Sequence, residues 1–312
     1  MPRSHLFFVA SAFLLALGAV LAKVLLSFDG ASNAAIDPLP FLTFQLLGGV
    51  VFLVGARIAR GWGAVPLGVL VHPALAGVIL GCGSVGTIFA LALITASEAS
   101  VVFATQPVMI LGLAWFVLGE KSPLSTAILA LVAVVGVIGI VVGGGLDASP
   151  SRVAGLSFAF FSTASAAIYV VWMRGLSGRV DTLTALLVVQ IVACAVSSVI
   201  WCAADISGLV RTETGSVFLV LCAVGSGAIY YGAAFYIYLI GLQKTEVYIA
   251  GVYLSLVPVF TIGLAWVFLS ERLTALQWAG AALVIFAIGG MAFLSARADR
   301  RVSDQSRTIH GR

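Results

Sequence analysis

The chain has 312 residues, of which 62% are hydrophobic and only 9% are charged, whereas about a quarter of the residues in a soluble domain are usually charged. A helix needs about 20 apolar residues to cross the hydrocarbon of a bilayer, so the chain holds material for roughly nine or ten crossings. This composition excludes a secreted globular enzyme, a nucleic-acid-binding protein with a basic face and a disordered protein.

Apolar runs bounded by charges, Gly/Pro turns or polar clusters divide the chain into predicted membrane-spanning segments. The first run could also be a cleavable signal peptide, but its full membrane length favours a retained helix. The segments between the runs are short, which predicts antiparallel neighbours and no separate soluble domain. The predicted fold class is an all-α polytopic membrane protein with ten transmembrane helices, at about 6–27, 39–56, 69–94, 97–118, 123–143, 154–173, 182–204, 216–241, 247–269 and 274–295.

The distribution of basic residues predicts the orientation. With the N-terminus inside, twelve of the sixteen Lys and Arg residues lie at the cytoplasmic side and three at the opposite side. Because cytoplasmic segments carry the excess of positive charge, both termini are predicted to be cytoplasmic. The expected location is a bacterial-type inner (plasma) membrane, and residues 297–312 form a basic cytoplasmic tail.

The two halves of the chain are similar in sequence. A shift of 151 residues aligns 107–121 with 258–272, and eight of these fifteen positions are identical. A shift of 145 residues aligns Gln45 with Gln190, each in an otherwise apolar helix. The sequence therefore predicts a duplicated five-helix unit, with repeats at 1–146 and 147–296.

The odd number of helices in each repeat has a functional consequence. The second repeat must cross the membrane in the opposite direction, which predicts Glu120 and Glu271 on opposite faces. Two inverted halves can exchange conformations, so a cavity between them can open to either side at similar energy. This geometry favours alternating access.

The segments 98–120 and 247–271 each contain a mid-helix proline and end in L-[GS]-E-[KR]. With ten helices in two inverted fives, the chain resembles the drug/metabolite transporter superfamily, EamA-type, over essentially its whole length. The resemblance implies a secondary carrier, often an exporter of amino acids or other small metabolites. It also implies a cavity lined by helices one, three, four, six, eight and nine. Members often have Arg in helix two, where this chain has Gln45 after two prolines.

Prolines occupy equivalent positions in the fourth and ninth predicted helices, at Pro107 and Pro258. Proline breaks the hydrogen bond to the carbonyl four residues earlier, and an unpaired carbonyl in hydrocarbon needs a hydroxyl, water or substrate as partner. A packing kink without a ligand role is the alternative. Both residues are predicted to act as hinges.

Lys23 lies inside the first predicted helix, where a charge is unfavourable unless it has a function or escapes the apolar phase. It could face the cavity and attract a carboxylate or phosphate, or it could extend its side chain to the interface or pair structurally. On the first hypothesis, Lys23→Ala reduces transport strongly without changing protein abundance.

Six of the seven tyrosines fall between Tyr230 and Tyr253. Those near the inner surface, Tyr236, Tyr238 and Tyr248, are predicted to belong to an interfacial belt. The deeper ones are candidates for an aromatic cavity wall, although the face formed by residues 231, 235 and 238 could simply pack. A polar wall is expected from the first repeat. The predicted substrate-binding residues are Lys23, Gln45, Ser84, Thr87, Gln106, Tyr230, Tyr231 and Tyr253.

Small residues at Gly77/Gly81 and Gly225/Ser226/Gly227 predict close helix packing, which is the usual source of helix association in lipid. The acids nearest to the apolar spans, Glu98 and Glu246, are expected to be solvated residues at helix N-termini. No acid at mid-membrane stands out as a proton carrier, so coupling to a proton gradient stays open.

The predicted function is a secondary transporter, in the exporting direction, for small amphipathic metabolites such as amino acids. A channel or a lipid scramblase is the alternative. A membrane-embedded lipid enzyme is disfavoured because the three histidines are scattered and the four cysteines form no CxxC pair. The expected partners are a small-molecule substrate and the bilayer, with no nucleic acid, no cofactor and no metal. Either a monomer or a homodimer fits.

Overall fold

The computed structural model describes most of the chain, and every structural statement below concerns the described residues. These are residues 3–26, 36–61, 67–119, 124–143, 149–176, 178–208, 213–243, 247–254, 256–269, 274–287, 289–290 and 293–294. Glu120, Glu246 and Glu271 lie outside these ranges, as does the predicted tail at 297–312.

The described chain is helical throughout, with an isolated antiparallel bridge between Ile36 and Thr214 as its only β pairing. Two short segments have the wider π-helical turn, π1 at Ala114–Leu118 and π2 at Ala228–Ala234. The α-helices are α1 Arg3–Leu26, α2 Pro38–Arg60, α3 Leu67–Leu93, α4 Ala96–Phe103, α5 Gln106–Leu113, α6 Leu124–Gly143, α7 Pro150–Gly175, α8 Thr182–Ser207, α9 Val217–Gly227, α10 Phe235–Leu242, α11 Val247–Leu254, α12 Leu256–Leu269 and α13 Ala275–Ala287.

Six helices are long and apolar enough to cross a membrane: α1, α2, α3, α7, α8 and the continuous unit formed by α9, π2 and α10. Shorter apolar helices include Gln106–Leu118 and Ala275–Ala287. The prediction of an all-helical polytopic membrane protein is confirmed at this level. Ten crossings stay a prediction.

The fourth predicted span, 97–118, is divided into two helices in the structure. Ala104 and Thr105 form a turn between α4 and α5, and the Thr105 hydroxyl and amide both donate to the carbonyl of Val102, at 2.7 and 3.0 Å. Pro107 falls in the first turn of α5, where its missing N–H costs no helical hydrogen bond. Pro107 therefore lies in the first turn of a new helix, directly after the break.

Contacts at the helix ends define two ends of the bundle. At the end named here the Arg174 end, the start of α1 meets the end of α10, because the ring of Phe8 lies 5.7 Å from that of Tyr238. At the opposite end, named the Lys23 end, the start of α7 meets the start of α4 through Arg152 and Glu98. The first helices of the two halves, α1 and α7, therefore run in opposite directions through the bundle.

Glycines allow a very close helix approach where α2 crosses α9. A Cβ atom added at Gly227 would lie 1.7 Å from the backbone oxygen of Gln45, and one added at Gly48 would lie 1.9 Å from that of Val224. Gly77 and Gly81 allow a close but less extreme approach of α3 to α8, where an added Cβ atom would lie 2.7 Å from the backbone oxygen of Val189 and 3.0 Å from the Cβ atom of Val196, respectively. The predicted packing role is confirmed for Gly77, Gly81 and Gly227.

Gly225 differs from these packing glycines. An added Cβ at Gly225 would meet no atom within 4 Å. Its predicted packing role is therefore wrong, since helix periodicity turns it away from the α2 contact that Gly227 makes.

Glu98 is 7% exposed and paired, so the expectation of a solvated helix-end residue is wrong. Its Oε1 accepts hydrogen bonds from Nε and Nη2 of Arg152, at 3.1 and 2.9 Å. Its Oε2 accepts from the backbone of Thr95, and the Thr95 hydroxyl accepts from the Glu98 amide. This reciprocal pair is a capping box at the start of α4, and the ion pair ties α4 to α7.

We expect Glu98→Ala to lower the free energy of unfolding by about 3 kcal/mol, because it leaves the Arg152 charge in a mostly buried place without its carboxylate. Unfolding of the purified protein in mixed micelles, titrated with SDS, measures this. The double variant Glu98→Gln/Arg152→Met should regain part of the loss, since neither position then carries a charge. Equal stability of Glu98→Ala and wild type would contradict the assigned role.

Candidate functional site

A central cavity of about 90 Å³ lies at mid-depth in the bundle. About 10–15 Å³ of such space holds one water molecule, so the cavity has room for a small organic group. Its walls come from α1, α3, the α4–α5 break, α7, π2 with the start of α10, and the α11–α12 region. They correspond to the predicted helices one, three, four, six, eight and nine, which the family resemblance implies as the cavity lining. The lining residues are Leu15, Leu80, Gly83, Ser84, Thr87, Phe103, Gln106, Ser162, Thr163, Ala166, Tyr230, Tyr231, Phe235, Leu254 and Val257.

One wall of the cavity carries hydroxyl groups. The Thr87 and Ser162 hydroxyls lie 2.5 Å apart, and Thr87 also donates to the carbonyl of Gly83. The Thr163 hydroxyl donates to the carbonyl of Ala159. Ser84 and Thr87 were predicted, whereas Ser162 and Thr163 were missed. The cluster of small hydroxyl residues at 162–165 in an apolar helix was the signal that could have found them.

The facing wall is aromatic. Tyr230, Tyr231 and Phe235 pack together, with ring centroids 4.8 Å apart for the two tyrosines and 5.7 Å for Tyr231 and Phe235. Both tyrosines lie within π2, and both line the cavity. Single π-helical turns in α-helices are frequent at functional sites. The face formed by residues 231, 235 and 238 lines space and does not only pack.

A second lobe, also about 90 Å³, continues the cavity toward the Arg174 end. It shares Leu15, Gln106 and Phe235 with the central lobe and adds Tyr169 and Tyr238. Tyr238 is 4% exposed, so its predicted place in an interfacial belt is wrong. Its position near a helix end suggested the belt, but the ring of Phe8 covers it.

Tyr236, on the same helix, stays at the periphery below the guanidinium of Arg60. The side chain of Tyr248 lies outside the described residues.

Toward the Lys23 end lies a narrow passage, a smaller cavity of about 10 Å³. It shares Ser84 and Tyr231 with the central cavity and is also lined by Gln45. The Gln45 amide donates to the Ser226 hydroxyl at 3.3 Å. Gln190, its counterpart in the second repeat, donates to the carbonyl of Tyr231 at 3.2 Å. Both amides therefore hold the helix unit that carries the aromatic wall.

Lys23 lies beyond this narrow passage. Its Nζ donates to the carbonyls of Leu91 and Ile94, at 2.6 and 2.9 Å. These are carbonyls at the C-terminal end of α3, where the helix dipole favours a cation. Lys23 is not among the residues that line the described cavity.

Arg174 repeats this arrangement at the other end of the bundle. Its Nη1 donates to the carbonyl of Leu242, at the end of α10, at 3.1 Å. A shift of 151 residues, the one that aligns the two repeats, converts Lys23 and Leu91 into Arg174 and Leu242. Each end of the cavity thus has the same cation-to-carbonyl contact, named here the Lys23 contact and the Arg174 contact.

The remaining predicted residues lie around the cavity. Tyr253 on α11 stacks on Phe8 at 5.3 Å and does not line the central lobe. Pro107 follows Gln106, which does line it. Pro258 lies within α12, and its side chain is outside the described residues.

The described lining of both lobes carries hydroxyl, phenol and amide groups and no charged side chain. A net charge inside such an apolar enclosure would be unfavourable without a partner. The described residues hold no cluster of His, Cys, Asp and Glu suited to a metal ion. The described lining therefore offers hydrogen-bonding groups and apolar surface to a bound molecule.

Comparison with known proteins agrees with this architecture. Among 29 matching chains of solved structures, one crystal structure is 25% identical in sequence and superposes with a TM-score of 0.67, covering 91% of this chain and 99% of the other. No curated protein matches. The model of the EamA-like transporter family matches twice, at residues 2–142 and 153–293. Proteins of this family are membrane transporters of small molecules. With most of its length covered by the two matches, the chain belongs to the EamA-like transporter family.

Proposed function

We propose that the protein is a secondary carrier that moves a small, uncharged or zwitterionic amphipathic metabolite by alternating access. Ten crossings in two inverted halves surround the site, both termini face the cytoplasm of a bacterial-type inner membrane, and the physiological direction is export. Amino acids and related metabolites are the first class to test. Pro107 and Pro258 mark the positions where the fourth and ninth crossings bend.

The observation that carries this proposal is the cavity at mid-depth, to which helices of both repeats contribute. Helices of opposite direction form its two sides, so a movement of one half against the other opens one end and closes the other. In the proposed cycle the Lys23 contact breaks when the cavity opens toward the Lys23 end, while the Arg174 contact stays formed. When the cavity opens toward the Arg174 end, the Arg174 contact breaks and the Lys23 contact stays formed.

A channel or a lipid scramblase is the second candidate, and counterflow in proteoliposomes separates it from a carrier. Vesicles loaded with unlabelled solute should transiently accumulate the labelled solute if transport is by a carrier, with rates that saturate. A pore shows neither behaviour. Labelled amino acids and metabolites are screened with and without a pH gradient, which also identifies any coupling to protons.

A cavity-filling variant ties transport to the site. Ala166 on α7 lines both lobes, so the phenyl ring of Ala166→Phe should lower the counterflow rate by at least about tenfold by occupying the space the solute needs. Ala203→Phe, at an exposed position of α8, is the matched control and should transport normally. Normal counterflow in Ala166→Phe would show that solute does not pass through this cavity.

A further inference from the structure

Two buried tyrosines border the second lobe, and their hydroxyl groups have no hydrogen-bond partner among the described residues. Tyr169 on α7 is 2% exposed and Tyr238 on α10 is 4% exposed. Within the described part of the chain, neither hydroxyl forms a hydrogen bond. A buried hydroxyl without a partner is destabilising, so such groups in native proteins usually serve a purpose.

Aromatic neighbours hold both rings in place. The ring of Tyr169 lies 5.9 Å from that of Phe235, and the ring of Tyr238 lies 5.7 Å from that of Phe8. Both side chains line the second lobe. Both side chains therefore belong to the wall of one small space, since the packing fixes the rings beside the lobe of about 90 Å³.

A third polar group reaches the same space. Gln106, at the start of α5 after the helix break, lines both the central and the second lobe. Its amide and the two phenols can together supply donors to one acceptor, and a carbonyl oxygen has two lone pairs to receive them. The described lining offers no cation to neutralise a carboxylate, which disfavours an anionic group.

We propose that Tyr169, Tyr238 and Gln106 form a subsite for an uncharged carbonyl group, such as a carboxamide, of the transported solute. The apolar or aromatic part of the solute then lies in the central lobe against Tyr230 and Phe235. This inference rests on the proposed carrier function and adds the class of solute: a neutral amide or ketone with an apolar body. Tyr169 and Tyr238 act here as binding residues.

The test measures binding to the purified full-length protein in lipid nanodiscs, by equilibrium dialysis. Three probes of similar shape are compared: 3-phenylpropanamide, butylbenzene, which lacks the acceptor, and 3-phenylpropionate, which is charged. We expect saturable binding of the amide and at least about tenfold weaker binding of the other two.

Variants that remove only the hydroxyl identify the subsite. Tyr169→Phe and Tyr238→Phe should each weaken binding of the amide by about fivefold or more and leave the affinity for butylbenzene unchanged. A purely structural role would alter binding of both probes together. Tyr236→Phe, on the same helix as Tyr238 but outside the lobe, is the matched control and should bind like wild type.

Three results would overturn the proposal: no binding of the amide to the wild-type protein, wild-type affinity in both Phe variants, or preference for the propionate. Failure of this proposal can be distinguished from failure of the carrier proposal. Binding that follows the expected pattern without counterflow would preserve the subsite and remove the carrier. Counterflow that is insensitive to Tyr169→Phe and Tyr238→Phe would preserve the carrier and remove the subsite.

Discussion

Gly227→Ala is expected to prevent stable folding of the protein. The new methyl carbon would lie 1.7 Å from the backbone oxygen of Gln45 and 2.5 Å from its carbonyl carbon. Backbone atoms cannot move aside as a flexible side chain can, so α2 and α9 must separate along their crossing. Overpacking commonly costs about 1–3 kcal/mol, and a backbone clash of this size should cost at least about 3 kcal/mol.

Gly225→Ala supplies the matched control, because it lies two residues away on the same helix and its added methyl group would meet open space. The two variants have the same helix propensity, so their difference isolates the contact with α2. Thermal unfolding and size-exclusion profiles in detergent should show a folded Gly225→Ala protein and an aggregated or strongly destabilised Gly227→Ala protein. Equal melting temperatures would mean that α2 and α9 do not cross this closely.

Lys23→Met and Arg174→Met are expected to open the cavity to opposite sides. Each substitution keeps an apolar side chain of similar length and removes the cation from the carbonyls at one end of the cavity. A hydrogen bond to a charged group contributes about 1.5–3 kcal/mol, and 1.4 kcal/mol corresponds to a factor of ten in an equilibrium. Each variant should therefore shift the population about tenfold or more, and Lys23→Met further because it loses two bonds.

A cysteine at position 166 reports the opening, in a background where Cys82, Cys194, Cys202 and Cys222 are replaced by alanine. A membrane-impermeant thiol reagent is added to one side of oriented vesicles at a time. Lys23→Met should increase the labelling rate from the side of the Lys23 end, and Arg174→Met from the side of the Arg174 end. The conservative variants Lys23→Arg and Arg174→Lys should label like the parent protein.

The variants Lys23→Arg and Lys23→Met also decide the role of Lys23 itself. If Lys23 caps α3, arginine should restore both transport and accessibility, because it still donates to carbonyl groups. If Lys23 binds a substrate anion, Lys23→Met should reduce transport without changing which side reaches position 166. An increase in labelling from the same side in both variants would contradict the mirrored arrangement of the two contacts.

The apolar runs predicted the helices well, since hydrocarbon requires long apolar segments wherever the chain crosses it. The helix break at Ala104 and Thr105 was not predicted. Pro107 was visible in the sequence, but the break depends on the Thr105 hydroxyl and amide bonding to Val102. Nor does hydropathy distinguish π2 from a regular helix, because the extra residue in a turn leaves composition unchanged.

The site was predicted in part. Ser84, Thr87, Gln106, Tyr230 and Tyr231 do line the central cavity, because polar groups deep in apolar helices seek each other or a cavity.

Polar lining residues that were not predicted include Tyr169, Ser162 and Thr163. Tyr169 stood apart from the other tyrosines in the sequence, and Ser162 and Thr163 resembled ordinary small packing residues. Their importance depends on α7 packing against α3, a contact between residues that are far apart in the chain.

By itself, the sequence determined that the chain is a duplicated bundle of apolar helices, because composition and the 151-residue repeat are properties of the chain alone. Only the tertiary structure decided that Lys23 and Arg174 cap helices at opposite ends of one cavity. It also decided that Glu98 is paired and that the buried hydroxyls of Tyr169 and Tyr238 have no hydrogen-bond partner among the described residues. The reason is physical: hydrophobicity selects which segments enter the lipid, whereas the direction and partner of each polar side chain depend on how the helices pack.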